Sequence, residues 1–414
     1  MSLRPLTRRQ LLLGSAGLVG AWGTLSLRQR VVAQAGVIKI GEINSYSGIP
    51  AFTIPYRQGW QLAVEQINQS GGVMGGRLLE VISRDDNGSP ADALRAANEL
   101  VARAGVTILA GTFLSNVGLA VADFARQNQV YFMAAEPLTD ALTLEQGNRY
   151  TFRLRPSTYM QAAMLVEEAA QLDAVRWAVV APNYEYGTSA VAAFKALLSE
   201  RRPDVEWVAE QFPALNQIDA GSTVQALERG NPDAIFNVTF GGDLIQFVRE
   251  GNTRGLFQNR EVVSLLTGEP EYLDPLQEET PEGWIVTGYP WYDIDTPEHQ
   301  AFLEAYQSKF DDYPRLGSIV GYNTFQAIAA ALDQAGSEDP EAMIAATRGV
   351  EFDSPAGTLT FRASDHQATM GAWVGRTALR DGKGVMVDWQ YKDGADYLVP
   401  EERVLQLRPE EARS

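Results

Sequence analysis

The chain has 414 residues, 45% of them hydrophobic and 21% charged, enough for two globular domains of roughly 150–200 residues each. Its net charge is −18, and five arginines (Arg4, Arg8, Arg9, Arg28 and Arg30) fall in the first 35 residues with no acid among them, so the remainder carries −23. That balance excludes a nucleic-acid or anionic-lipid surface built on clustered Lys and Arg, while zero cysteines and only two histidines, His299 and His366, exclude disulfides, thiol nucleophiles, a lipid-modified cysteine, Cys-ligated zinc, a His-based triad and a multi-His metal site.

Residues 1–35 read as an address. Thr7-Arg8-Arg9-Gln10-Leu11-Leu12 is a twin-arginine pattern, and the apolar stretch Leu11 to Leu27 that follows is interrupted by Gly14, Gly17, Gly20 and Gly23. Ala33-Gln34-Ala35 places small residues at cleavage spacing. The expectation is an export signal cut near Ala35 and a periplasmic protein. Past residue 36 no apolar run is long enough to cross a bilayer.

Short apolar strands then alternate with helical patterns. Val37–Ile43 reads as a strand, and Trp60, Ala63, Val64 and Ile67 mark one face of the next helix. Leu78–Ser83 is a strand, Ala91–Ala104 a helix, Val106–Ala110 a strand, Val117–Arg126 a helix and Val130–Ala134 a strand. The pattern restarts after Pro156: helices over Met160–Leu172, Ser189–Leu198, Val224–Glu228 and Leu244–Glu250 alternate with strands over Val175–Val180, Val205–Ala209, Ala234–Val238 and Val262–Leu266. A strand at Ile285–Gly288, helices at Glu298–Phe310 and Ser318–Ala335, and a strand-rich region from Phe352 to Tyr391 complete the chain. Continuous apolar strands separated by helices predict parallel sheets covered on both faces, in two α/β units with a cleft between them.

Solutes in such sheets sit at the carboxyl ends of the strands, so the residues just after strands are the candidates. The first strand runs into Asn44-Ser45-Tyr46-Ser47-Gly48, either a binding loop or an ordinary turn. After the Val106–Ala110 strand, Ser115 is an N-cap candidate, followed by Asn116. Free amides and the helix dipole there favour an anion such as a carboxylate. Glu136, Leu138, Thr139 and Asp140 follow the next strand. In the second unit Tyr186 stands beside Gly187, Phe240 beside Gly241 and Gly242, and Glu269 is a candidate partner for a cation; Trp291 follows the Ile285–Gly288 strand. Anion donors on one side and an acid with aromatic rings on the other suit a zwitterion.

Other motifs fail on context. Gly71-Gly72-Val73-Met74-Gly75-Gly76 lies after a helix and before a strand, the reverse of a dinucleotide loop, and no Walker lysine follows. There is no G-x-S-x-G elbow. Asp85-Asp86-Asn87 lacks the remaining positions of a calcium loop and reads as a solvated turn. No metal, cofactor or catalytic residue is expected, and the chain is not read as an enzyme.

Taken together, Ile38-Lys39-Ile40-Gly41, Ser47-Gly48, Ile67-Asn68 with Gly71-Gly72-Val73, Asp85-Asp86, Tyr186-Gly187, Gly268-Glu269 and Gly321-Tyr322 resemble the periplasmic branched-chain amino-acid-binding proteins of ABC importers. The resemblance covers essentially all of residues 37–392. It implies a type I periplasmic binding protein, α/β, with two Rossmann-like lobes joined by three crossover strands near residues 155, 290 and 365. It places Ser115 on a ligand carboxylate and Glu269 on an α-ammonium, with Tyr186 and Phe240 as aromatic walls and Phe52 near another.

This sequence departs from the family's pattern in places. Pro137-Leu138-Thr139 stands where the family often has Ala-Thr-Asn-like residues, so a threonine donor is missing and the Leu138 amide is its substitute. Glu136 adds a negative charge. Gly317 stands where some members have an aromatic ring, and Asn87 and Leu114 stand where some have a cysteine pair.

The resulting expectation is an export signal over 1–35, one lobe from 36–155 plus 290–365, a second from 156–289 plus 366–400, and a C-terminal tail over 401–414. The expected ligand is an amino acid with an apolar side chain, captured by lobe closure and passed to an ABC permease, with the binding protein a monomer. Alternatives are a binding protein for an aromatic or aliphatic carboxylate or an amide, and a ligand sensor acting on a membrane receptor.

Overall fold

The computed structural model describes residues 36–413; the twin-arginine pattern and the cleavage site lie outside them. The first sheet is built from β1 (Ile38–Asn44), β2 (Leu79–Asp85), β3 (Ile108–Gly111), β4 (Tyr131–Ala134) and β5 (Thr151–Arg153). All pairs are parallel, in the order β2-β1-β3-β4-β5. Helices α1 (Pro50–Gln69), α2 (Pro90–Ala102) and α3 (Ser115–Asn128) alternate with them. The second sheet contains β6 (Arg176–Val180), β7 (Glu206–Gln211), β8 (Ala234–Asn237), β9 (Glu261–Gly268) and β10 (Ile285–Gly288) as parallel strands. They alternate with α4 (Thr158–Ala169), α5 (Glu185–Arg201), α6 (Ala220–Gly230), α7 (Gly241–Arg254) and α8 (Pro270–Leu276). Every residue of β3, β4, β8 and β10 is buried, because helices shield both faces.

Helices α9 (Pro297–Phe310), α10 (Leu316–Ala335) and α11 (Pro340–Thr347) lead to the hairpin β11 (Glu351–Ser354) and β12 (Gly357–Thr360). The antiparallel pair β13 (Ala372–Arg380) and β14 (Lys383–Lys392) then extends the second sheet beside β10, giving the order β14-β13-β10-β9-β8-β6-β7. Helix α10 packs back onto α1 at backbone distance. A Cβ on Gly59 would fall 1.9 Å from the Ser318 carbonyl oxygen, and one on Gly321 would fall 2.0 Å from that of Tyr56. Gly317 belongs to the same seam: a Cβ there would lie 2.4 Å from the Phe52 carbonyl oxygen, so no ring fits at this position.

The C-terminal residues are packed. Helix α12 (Glu401–Leu407) buries Val404 against Leu144 and Val399. Arg408, 1% exposed, donates to the carbonyls of Thr143 (2.6 Å), Asn148 (3.0 Å) and Ala412 (3.1 Å). The elements that sequence periodicity overlooks, β5, α8, α11 and α12, are three to eight residues long. That is too short for a 2.0 or 3.6 repeat to declare itself.

In each sheet the strand order reverses around one strand, with β1 between β2 and β3 and β6 between β7 and β8. The crevice beyond the carboxyl ends of such strands is where solutes bind.

Candidate functional site

The loops after β3, β4 and β5 meet the loops after β6 and β8 and the last residues of β9 around a small cavity. Phe113, Ser115, Glu136, Leu138 and Arg155 line it from one side, and Tyr184, Tyr186, Phe240 and Leu266 from the other. Backbone strain on both walls aims these side chains. Thr112, just before Phe113, has φ 64°, and Leu266 has φ 66°. A left-handed conformation is uncommon for any residue other than glycine, costs on the order of 1–3 kcal/mol and is tolerated only where the surroundings enforce it. The Thr112 amide is held by the Ile43 carbonyl at 2.6 Å, and the Leu266 amide by the Thr287 hydroxyl at 2.9 Å, at the point where the β9–β10 register shifts.

The apolar wall is a continuous run of rings. Phe52 meets Phe113 at 5.0 Å between centroids, Phe113 meets Phe240 at 6.1 Å, and Phe240 meets Tyr186 at 5.8 Å and Tyr184 at 6.4 Å. The run therefore passes from the first lobe to the second without a break.

The polar wall is a buried charge cluster. The Arg155 guanidinium donates to Glu136 at 3.1 Å on one side and to Glu269 on the other, and the three side chains are 4%, 0% and 1% exposed. Burial pushes Glu136 up to about 8 against the downward pull of Arg155. It pushes Glu269 well above the carboxylate range in the same way, with Glu271 and Glu136 adding repulsion. One guanidinium faces two carboxyls in this dry setting, and burial and mutual repulsion favour the protonated form of the pair. Oε1 of Glu136, Oε2 of Glu269 and the Tyr186 hydroxyl are buried with no hydrogen-bond partner.

The residues singled out in the sequence are distributed as follows. Ser115, Leu138, Tyr186 and Phe240 line the cavity, and Glu269 reaches it through Arg155. Ser115 is not the N-cap of α3. Leu114 holds that place, and the Ser115 hydroxyl oxygen accepts from the amides of Leu138 (3.3 Å) and Thr139 (3.2 Å), because the loop after β4 folds over the helix start. The Leu138 amide is therefore already engaged. The Thr139 hydroxyl donates to Glu185 at 2.7 Å, tying the loop after β4 to the start of α5. Asn116 is half-buried with its Oδ1 unpartnered. Phe52 stands behind the lining, its ring centroid 5.3 Å from the Arg155 guanidinium.

Two candidates lie elsewhere. Tyr46 turns toward α1, under the Arg57 guanidinium at 3.5 Å and accepting from the Trp60 indole at 3.2 Å. Trp291 stacks on Tyr313 at 4.6 Å. Sequence reasoning missed Arg155, Phe113, Tyr184 and Leu266. The available signal for Arg155 was its place in Arg153-Leu154-Arg155-Pro156, where the α/β pattern restarts.

The cavity holds about 20 Å³, room for about one water, against roughly 300–1,000 Å³ for a typical ligand pocket. Its walls are pinned by Arg155–Glu269, by Thr139–Glu185 and by the Asp140 amide donating to Ser189 at 3.1 Å. As it stands the cleft leaves no room for a solute. A larger depression of about 560 Å³ lies beside the C-terminal parts of α1 and α10 and strand β11, and shares no residue with the cleft.

Two α/β sheets whose strand-end loops meet around a cavity of rings and buried charge define a protein that binds a small solute. Residues 37–383 match the family described as periplasmic binding protein, and the chain belongs to it. The fold is accordingly that of a type I periplasmic binding protein. Among its relatives is the Leu/Ile/Val-binding protein homolog 7 of Brucella suis biovar 1 (strain 1330), 25% identical over 338 residues that span 77% of this chain and 82% of the relative. The solved ABC transporter substrate-binding protein from Sphaerobacter thermophilus is 27% identical with a TM-score of 0.74, covering 86% of this chain and 98% of that one. A solute-binding protein of an ABC transporter from Rhodopseudomonas palustris BisB5, solved in complex with 3,4-dihydroxybenzoic acid, is 22% identical with a TM-score of 0.75, covering 87% and 99%.

Proposed function

We propose that this chain is the extracytoplasmic solute-binding subunit of an ABC importer and that its ligand is an amino acid with an apolar side chain. The observation that carries the ligand class is the charge count in the cleft. Two buried carboxyls face one guanidinium, and each carboxyl keeps one oxygen without a partner. An ammonium group matches that surplus of acceptors; a second anion does not. The rings of Phe113, Tyr184, Tyr186 and Phe240 and the Leu138 and Leu266 side chains suit an apolar side chain. The carboxylate is assigned to Ser115, Asn116 and the amides opening α3, where the helix dipole favours an anion. Export by the twin-arginine route with cleavage near Ala35, delivery to a membrane permease, a monomeric state and lobe boundaries near residues 155, 290 and 365 belong to the same reading.

A second reading, an aromatic acid, is favoured by Arg155 at the cavity and by the run of rings. A thermal-shift panel of apolar amino acids against benzoate and hydroxybenzoates separates the two. Ligand at 100 times its dissociation constant stabilises by about 2.7 kcal/mol. Stabilisation by the aromatic acids alone would refute the amino-acid assignment.

A further inference from the structure

The cleft holds three ionisable groups that must share charge. Glu136 comes from the loop after β4 in the first lobe, Glu269 from the end of β9 in the second, and Arg155 from the segment that joins them. Each is at least 96% buried at its side chain, so neither a counter-ion nor bulk water balances them. We propose that Glu136 and Arg155 are specificity-determining residues: with Glu269 they form a triad that holds one proton on its two carboxyls, and an ammonium-bearing ligand expels that proton when it binds. The inference rests on the amino-acid reading above.

The balance is simple. Without ligand, guanidinium and one carboxylate cancel and the second carboxyl is neutral. A ligand –NH₃⁺ brings a second positive charge, the O–H bond of that carboxyl breaks, the proton leaves to water, and the site is neutral again. A ligand carrying only a carboxylate has the opposite linkage, since it shares Arg155 only after the remaining carboxylate takes up a proton. Arg155 is thus a resident cation that a ligand anion can share only once both acids are protonated, and Glu136 supplies the negative charge that a one-to-one Arg155–Glu269 pair lacks.

The neighbouring titratable groups are Glu271 and three tyrosines. Glu271 accepts the amides of Gly317 (2.7 Å) and Leu316 (3.3 Å), which offset part of the burial that pushes it up to about 7, and it repels both acids of the triad. Tyr56, Tyr186 and Tyr272 face the cluster as neutral phenols, their ionisation pushed up by burial first and by the nearby acids second. The upward displacement of Glu136 by burial agrees with a carboxyl that is protonated before the ligand arrives.

Calorimetric titration of the intact protein with L-leucine, L-phenylalanine and benzoate, in phosphate and in Tris, tests this. Expected for the amino acids is release of about one proton near pH 7 and a dissociation constant that falls about tenfold per pH unit from about pH 5 to 7. Glu136→Gln should abolish both effects and weaken amino-acid binding at least tenfold. Amino-acid binding with identical heats in both buffers and a flat pH profile overturns the shared proton and leaves the amino-acid reading standing. Proton release that survives in Glu136→Gln overturns the assignment to this triad. Binding of benzoate alone overturns both the inference and the reading beneath it.

Discussion

Replacing Arg155 with Met keeps the length of the stem and removes what is, among the described residues, the only cation in direct contact with Glu136 and Glu269. With one proton shared by the two acids, as proposed, one carboxyl in the wild type is ionised against Arg155 and the other is neutral. In the variant both must be neutral, because an unpaired carboxylate is not sustained at 0–1% exposure. An unfolded Glu titrates near 4.3, and each pH unit above that costs about 1.4 kcal/mol to hold it protonated. The newly neutralised carboxyl therefore costs about 1 kcal/mol at pH 5 and about 4 kcal/mol at pH 7, in line with roughly 3–5 kcal/mol for breaking a buried pair. Burial raises the folded pKa of the shared proton above the unfolded value, so its contribution is complete at low pH and is lost as pH rises, through about 8 for Glu136 in the wild type. Stability should fall with pH at a slope of about one proton in the wild type and about two in Arg155→Met. Urea unfolding followed by tryptophan fluorescence at pH 5, 6 and 7 reads this directly. A gap between the two proteins that stays constant across that range would show that Arg155 acts by packing alone.

Two further outcomes are expected. Gly321→Val forces a side chain into the α1–α10 seam, where even a Cβ would sit 2.0 Å from the Tyr56 carbonyl oxygen, and should cost at least about 1–3 kcal/mol in denaturant unfolding. An unchanged midpoint would mean that the helices separate easily. Arg408→Ala strands the carbonyls of Thr143, Asn148 and Ala412, and should cost on the order of 3 kcal/mol and open the chain to trypsin after exposed Arg403. Persistent resistance to trypsin would show that Val404 alone anchors the C-terminal helix.

Much of the architecture was readable from local pattern. Ile38, Ile40 and Ile43 in β1, and Trp60, Ala63 and Ile67 on α1, announce their elements because side-chain periodicity is a property of neighbours in the chain. The alternation of such segments, and its restart after Pro156, is enough for parallel sheets in two lobes with a cleft at the strand ends. It also directs attention to Ser115, Leu138, Tyr186, Phe240 and Glu269, which follow strands directly.

Only the tertiary structure decided what those residues do to one another. Arg155 and Glu269 are 114 positions apart, and no spacing rule joins them. Their pairing makes Glu269 a shared carboxyl rather than a free acceptor, and brings Glu136 into the same charge balance. Ser115 loses its expected capping role because a loop 23 residues away donates to its hydroxyl. Tyr46 and Trp291 follow strands as the others do, yet they pack against Arg57 and Tyr313. Periodicity is set within a few residues by backbone geometry, whereas charge pairing and burial depend on which distant segments share one dry volume, and that is known only once the chain has folded.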